Sequence, residues 1–304
     1  MDGILNIYKE RGFTSHDVVA KLRGIMKMKK IGHTGTLDPD ACGVLPVCLG
    51  QATKVCSLLT DRKKTYEAVM LLGRETDTQD AGGRTVAERP VTVTERDVRE
   101  VLAGFVGESE QIPPMYSALK VNGHKLCDLA RQGKTVERKP RPVTFYEVEI
   151  LSVQLPRVRF RVTCSKGTYI RTLCHDAGKL LGSGACMEEL LRTQVEPFDV
   201  GDSLTLSQIE DLAARGQVET VLCPVDRLFE ELPAVRILPE YARYMMNGNS
   251  LKRQWLRGME SESPEDENPT VRIRLYTQAG TFFGVYEYRA EEERYRLQKM
   301  FYGG

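Results

Sequence analysis

The stretch Gly32-His33-Thr34-Gly35-Thr36-Leu37-Asp38-Pro39-Asp40-Ala41-Cys42-Gly43, followed by Val44–Leu49, decides the reading of this chain. It sets three glycines, a histidine and two carboxylates ahead of a continuous apolar run, the pattern of a buried strand. Glycine lets a backbone take positive φ and approach a ligand closely. Pro39 restricts Asp38 to extended conformations, which gives that carboxylate a defined direction. Two readings stand on these grounds: a polar turn capped by Asp38 and Asp40, or a loop that holds a reactive carboxylate on a rigid support. The phosphate-loop pattern Gly-x-x-x-x-Gly-Lys-[Ser/Thr] is absent, and no Gly-x-Gly-x-x-Gly follows Ile4–Lys9.

Working outward, Ile4–Lys9 is a short strand candidate, and Thr14 with Asp17 forms a capping box that opens a helix. Val18, Val19, Leu22, Ile25 and Met26 make its apolar stripe. Ile31–Gly43 reads as a loop. Gln51–Leu59 reads as a helix and Lys63–Leu72 as a strand, with Tyr66 on the face of Ala68, Met70 and Leu72. Thr94–Phe105 is a capped helix, and Asn122-Gly123 is a turn signal. Pro142–Leu155 and Arg157–Cys164 are long strands; the second alternates an apolar face with a basic face of Arg157, Arg159 and Arg161. A helix is expected from about Thr168 to Leu181, and a short one over Ser207–Arg215. Beyond Leu232 come a helix-like stretch at Glu240–Asn247, an acidic loop at Ser261–Asn268, and alternating strands at Val271–Tyr276, Thr281–Tyr288 and Arg294–Met300. The mixed order is α+β, with a small β-rich C-terminal domain.

The 304 residues are enough for a substantial core. No stretch approaches the roughly 18 apolar residues of a membrane helix, and the N-terminus lacks a signal-peptide pattern, so a cytoplasmic location is expected. The 8 cysteines form no Cys-x-x-Cys pair and read as reduced, mostly buried thiols. No metal site is expected, at Cys174-His175 or elsewhere.

Net charge is only +1, but it is unevenly distributed. Lys and Arg outnumber Asp and Glu 11 to 6 in residues 1–65 and 14 to 7 in residues 119–192. They are outnumbered 5 to 10 in residues 66–118 and 13 to 19 in residues 193–304. Basic blocks that share a face suit a polyanion; separately, they are merely solvated surfaces. Arg171 falls in the first turn of its helix, where the macrodipole disfavours a cation, so a carboxylate or phosphate is expected to hold it.

The segment Gly32–Lys54 resembles the signature of the TruB family, the bacterial tRNA pseudouridine-55 synthases. GFTSHDVV at Gly12–Val19, KTYEA at Lys64–Ala68, QIPPMYSALKVNGHKLCDLARQG at Gln111–Gly133 and CSKGTYIRTLCHDAG at Cys164–Gly178 match in the same order. The resemblance covers most of residues 1–200; the C-terminal segment resembles that family's small PUA-type RNA-binding domain more weakly. It implies a pseudouridine synthase fold with a central mixed, mainly antiparallel sheet. The expected catalytic domain is 1–234, with a thumb-like insertion at about 117–139, and the PUA-like domain is 235–304.

The resemblance also implies roles. Asp38 is the catalytic aspartate, Arg171 its partner arginine and Tyr66 the base-stacking tyrosine. His33 helps occupy the space of the extruded base, and Tyr169 and Leu190 line the pocket. Arg171 is expected to keep Asp38 ionised at neutral pH. Lys125 and Arg131 on the thumb contact RNA, among phosphate-contact candidates that also include Lys21, Lys27, Lys29, Lys30, Lys120, Lys134, Lys139 and Arg141. Leu191 stands where the family has an arginine, which puts a local phosphate contact in doubt. The implied reaction isomerises a T-loop uridine of tRNA without cofactor, metal or obligate protein partner, in a monomer. Competing readings are a tRNA-binding or folding protein, an RNA-guided synthase within a particle, and, with no motif in its favour, a generic hydrolase.

Overall fold

In the computed structural model, residues 1–258 and 272–302 are described. The acidic run Ser261–Asn268 and the expected strand start at Val271 lie outside them.

The chain opens with strand β1 (Gly3–Lys9) and helix α1 (Ser15–Met26), whose N-cap is the Thr14–Asp17 capping box. What reads as one loop from Ile31 to Gly43 contains a short strand, β2 (Ile31–His33), and the start of β3 (Cys42–Leu49). Between them only Thr34–Ala41 is irregular. The stretch expected as one helix at Gln51–Leu59 divides into a 3-10 turn, Gly50–Val55, and α2 (Cys56–Asp61).

Strand β4 (Lys64–Leu72) buries Tyr66, Ala68, Met70 and Leu72 on one face. A small hairpin follows, β5 (Arg74–Thr76) with β6 (Thr85–Glu88). Helix α3 (Glu95–Ala103) has the Thr94–Asp97 capping box and leads to β7 (Gly107–Gln111). The Asn122-Gly123 turn joins β8 (Lys120–Val121) to β9 (His124–Lys125), both turn residues having positive φ, 50° and 83°. Helix α4 (Leu126–Arg131) completes that insertion. Long antiparallel β10 (Arg141–Gln154) and β11 (Arg157–Cys164) lead into α5 (Ile170–Leu180), then β12 (Ala185–Val195), β13 (Phe198–Asp199) and α6 (Leu206–Ala214).

The main sheet runs β1-β3-β12-β4-β11-β10-β7, with β2 added on β3 and β13 on β12. Every pairing is antiparallel except β3 with β12, so the sheet is mixed and mainly antiparallel. One core lies between its β4–β11–β10 portion and helices α3 and α5; another lies between β1, β3 and helices α1 and α6. A six-stranded sheet forms the C-terminal part, from Ala234–Ile237, Leu251–Lys252, Leu256–Arg257, Arg272–Tyr276, Phe282–Arg289 and Arg294–Met300. It packs on its own core around Phe283 and Tyr286. Val285 and Phe301 join a cluster with Ile4, Val44 and Phe229 of the main sheet's side.

Arg157 and Arg159 of β11 are exposed and Arg161 is half-buried, but the three do not form a free basic face. Arg157 pairs with Glu188 at 2.7 Å, Arg159 with Glu67 at 3.0 Å, and Arg161 with Glu67 and Glu149 at 2.8 and 2.9 Å. The acids lie on other strands of the sheet, β4, β10 and β12, so alternation within one strand could not reveal them. All eight cysteines are free thiols, four buried and four half-buried. No helix among the described residues is long and apolar enough to cross a membrane.

Candidate active site

Asp38 lies in the Thr34–Ala41 turn, which is fixed from several sides. Ser15 Oγ accepts from the Leu37 amide at 3.0 Å, and Thr34 N and Oγ1 both donate to the Pro46 carbonyl. The Pro39 carbonyl accepts from the Gly12 amide at 2.9 Å and from Lys9 Nζ at 3.0 Å. Lys9 also donates to the carbonyls of Phe13 and Glu10, so one buried ammonium ties the end of β1 to the turn. Gly35 and Gly43, with φ of 107° and 105°, take the backbone into and out of the turn in a conformation that side chains resist.

Across the cleft, Tyr169 precedes α5, and its peptide is clamped by Gln111, which donates to its carbonyl and accepts from its amide. This aims Arg171 at the turn. Its Nε lies 3.0 Å from Asp38 Oδ2 and its Nη2 3.1 Å from Oδ1, a two-point grip. Its remaining contacts are the Tyr116 carbonyl at 2.9 Å, the Thr78 carbonyl at 3.2 Å and Asp80 Oδ2 at 3.4 Å. The Arg171 side chain is 6% exposed and that of Asp38 40% exposed. A cation in an unfavourable first-turn position is thus held by two carboxylates and two carbonyls.

Asp38 stands where two cavities meet. One, about 410 Å³, is lined by Asp38, Tyr66, Tyr169, Leu190, Arg171 and Arg192, with Lys64 and Lys166 at its wall. The other, about 580 Å³, shares Asp38, Arg171 and Leu190 and extends to Lys125, Arg131, Arg11 and His16. Seven of the eight site residues expected from the sequence therefore border one cleft. The eighth, His33, lines neither cavity. It sits half-buried on β2, its ring edge-on to His16 with centroids 5.2 Å apart. Lys125 and Arg131 are exposed, and Arg131 is 3.4 Å from Asp128 one turn earlier. The other eight candidate phosphate-contact residues are also exposed.

Two opposing influences act on Asp38. Recession into the cleft pushes the Asp38 pKa above its usual value, and the opposing pull of Arg171 is the smaller effect. The ion pair moderates the cost of ionising Asp38 without reversing it. Burial likewise pushes the Tyr66 phenol up, with Arg192 opposing. Burial and the Arg192 charge push the Lys64 ammonium down to about 8. His33 is pushed down by burial and by His16.

Three residues were not singled out from the sequence. Asp80 is the second acid on Arg171, Lys9 anchors the turn, and Arg192, a buried residue of β12, is the cross-strand partner of Tyr66. Arg192, beside Leu191, is 1% exposed and faces inward. The position of Lys9 at the end of a strand of buried residues was the available signal. Asp80 had none among the acids of a polar turn.

A carboxylate gripped by a buried guanidinium, at the junction of two nucleoside-sized cavities with a tyrosine on the wall, suits chemistry at a sugar whose base is held apart from its strand. The family model described as TruB family pseudouridylate synthase (N terminal domain) matches residues 23–170, and that of the tRNA pseudouridylate synthase B C-terminal domain matches residues 171–230. The chain belongs to the TruB family of pseudouridylate synthases. Relatives named tRNA pseudouridine synthase B include one from Lachnoclostridium phytofermentans, 51% identical over 99% of this chain and 100% of the relative. Another, from Clostridium acetobutylicum, is 42% identical over 99% of each chain. Among solved structures, an H/ACA RNP bound to a substrate RNA containing 2′-deoxyuridine includes a chain similar at TM-score 0.72 and 26% identity. That match covers 99% of this chain and 85% of the other. A Cbf5-Nop10-Gar1 complex contains another, at TM-score 0.71 and 28% identity over the same shares.

Proposed function

We propose that the chain isomerises uridine 55 in the T loop of tRNA to pseudouridine, with Asp38 as the reacting carboxylate. The observation that carries this reading is the Arg171–Asp38 grip at the meeting of the two cavities, with Tyr66 and Leu190 on the walls.

The reaction breaks the N1–C1′ bond, turns the retained base, and joins C5 to C1′. Asp38 acts on the sugar, as nucleophile or as base. Tyr66, Leu190 and Tyr169 hold the base in the smaller cavity, while the strand that bears it enters through the larger one. Extruding the base costs a few kcal/mol, and stacking on Tyr66 returns roughly 1–3 kcal/mol. Lys125 and Arg131 meet phosphates at the rim of the larger cavity. His33, outside both cavities, fills the space left in the loop only if the RNA reaches β2.

In this reading residues 1–234 are the catalytic domain and residues 235–304 a PUA-like RNA-binding domain. The enzyme works as a monomer in the cytoplasm, with no cofactor and no guide RNA or obligate protein partner. The test is to incubate the purified chain with unmodified tRNA transcript and map pseudouridine. Product at position 55 and nowhere in a U55C transcript supports the reading. Activity that requires added guide RNA and proteins would support an RNA-guided synthase instead.

A further inference from the structure

All four charged side chains buried among the described residues are cations: Lys9, Lys64, Arg171 and Arg192. Arg171 is matched by Asp38 and Asp80. Lys9 is held by three backbone carbonyls, and Lys64 by those of Thr60 at 2.8 Å and Arg62 at 2.7 Å. Arg192 is the largest fully buried side chain described. Its Nε donates to the Val44 carbonyl at 2.7 Å and its Nη2 to that of Gly35 at 3.4 Å. Among the described residues, no carboxylate pairs with it. The other titratable groups around it are Lys64 and Tyr66 on β4, Cys164 on β11, Lys9 on β1 and His33 on β2. Burial pushes the Cys164 thiol up to about 12, so none of these is an anion at neutral pH. A buried cation without a counter-charge is costly, and a neighbour that becomes an anion would offset that cost.

The neighbour that can become an anion during the reaction is Tyr66. Arg192 and Tyr66 are direct cross-strand partners in the β12–β4 register, so their side chains share a face. Both side chains line the smaller cavity, and the Arg192 charge opposes the burial that pushes the Tyr66 phenol up. A guanidinium has donors only, so toward Arg192 the Tyr66 Oη can only accept, which leaves its own proton for the cavity it shares with Asp38.

Building on the isomerase reading above, we propose that Arg192 is the counter-ion that lets Tyr66 carry a negative charge between two proton transfers of the base isomerisation. When N1–C1′ breaks, the electron pair leaves with N1. Tyr66 gives its proton to N1 and becomes a phenolate against Arg192. The base turns, and the C5–C6 π pair forms the C5–C1′ bond. The phenolate then takes the proton from C5, whose C–H pair restores the C5–C6 double bond. One proton has left the tyrosine and one has returned, and no other reactant is consumed. Arg192 is 1% exposed in the cavity wall, so its part is that of a positioning residue that acts through Tyr66.

The experiment is a double-mutant cycle in single-turnover pseudouridine formation on tRNA transcript, with tRNA affinity measured in parallel. Arg192→Met should lower the rate about 100-fold, the scale of a lost proton transfer, and leave affinity within about twofold. Arg192→Lys should lower it less. In the Tyr66→Phe background, neither Arg192 substitution should lower the rate further. A wild-type rate in Arg192→Met overturns the proposal, as do losses that multiply in the double variants, the mark of a merely structural role. Should Arg192→Met fail to fold, the cycle with Arg192→Lys reads the same coupling. A wild-type chain that forms no pseudouridine in tRNA rejects the isomerase reading itself and is seen separately in the control.

Discussion

Asp80 Oδ2 lies 3.4 Å from Arg171 Nη1, on the opposite end of the guanidinium from Asp38. Arg171 is thus a bridge between two acids, and Asp80 braces the arginine that braces Asp38. Asp80 borders only the larger cavity and is placed to act on the rate through Arg171. Asp80→Ala should reduce single-turnover pseudouridine formation about tenfold, roughly 1.4 kcal/mol, with tRNA affinity unchanged. A proportionate loss of affinity and none in rate would show instead that Asp80 serves RNA binding.

The pH dependence follows from the raised Asp38 pKa. The ionised carboxylate is the working form, so activity falls as pH drops through that raised value. The acid limb should therefore lie above the pH at which an ordinary aspartate protonates. Arg171 is the main opposing influence, and Arg171→Gln should move the limb further toward neutral pH. Single-turnover rates across acid pH, with folding checked by circular dichroism, measure both. A limb that moves the other way in Arg171→Gln would contradict this electrostatic account.

The path of the chain past Arg192 makes Gly43 sensitive. Gly43 and Arg192 are partners in the parallel β3–β12 pair, and a Cβ on Gly43 would sit 2.2 Å from the Arg192 carbonyl oxygen, at a φ of 105°. Gly43→Ala must push the two strands apart. It should cost at least about 2 kcal/mol in urea unfolding, strain and steric displacement adding. An unchanged midpoint and slope would mean the strands approach less closely than described.

The elements were legible in the sequence where periodicity was long or a cap was present. The capping boxes at Thr14 and Thr94, the alternation of Arg157–Cys164 and the Asn122-Gly123 turn all mark real features. Order across the sheet was not legible. β12 lies between β3 and β4, distant in the chain, and that insertion buries Arg192. The same blindness hid the acids that neutralise the β11 arginines. Within the site, Asp38 and Arg171 stood out because each broke a local rule, a proline-restrained acid among glycines and a cation at a helix start. Asp80 and Lys9 broke none that a single strand or turn displays. Their partners come from the tertiary fold.

The exposed rim of the larger cavity yields a salt-dependent prediction. Lys125 and Arg131 border it and are exposed. Reversing both, Lys125→Glu with Arg131→Glu, should weaken tRNA binding and reduce the dependence of log affinity on log salt by about two phosphate contacts. The rate at saturating tRNA should change little. Unchanged affinity across salt would remove this segment from the RNA contact.

The most direct test of the account places Asp38→Asn beside wild type on the same unmodified tRNA transcript, reading affinity by filter binding and pseudouridine by mapping at position 55. The substitution keeps shape and removes the charge that faces Arg171. The account predicts tRNA bound within about threefold of wild type, under 0.7 kcal/mol, with no pseudouridine formed. Product from Asp38→Asn at the wild-type rate would contradict it.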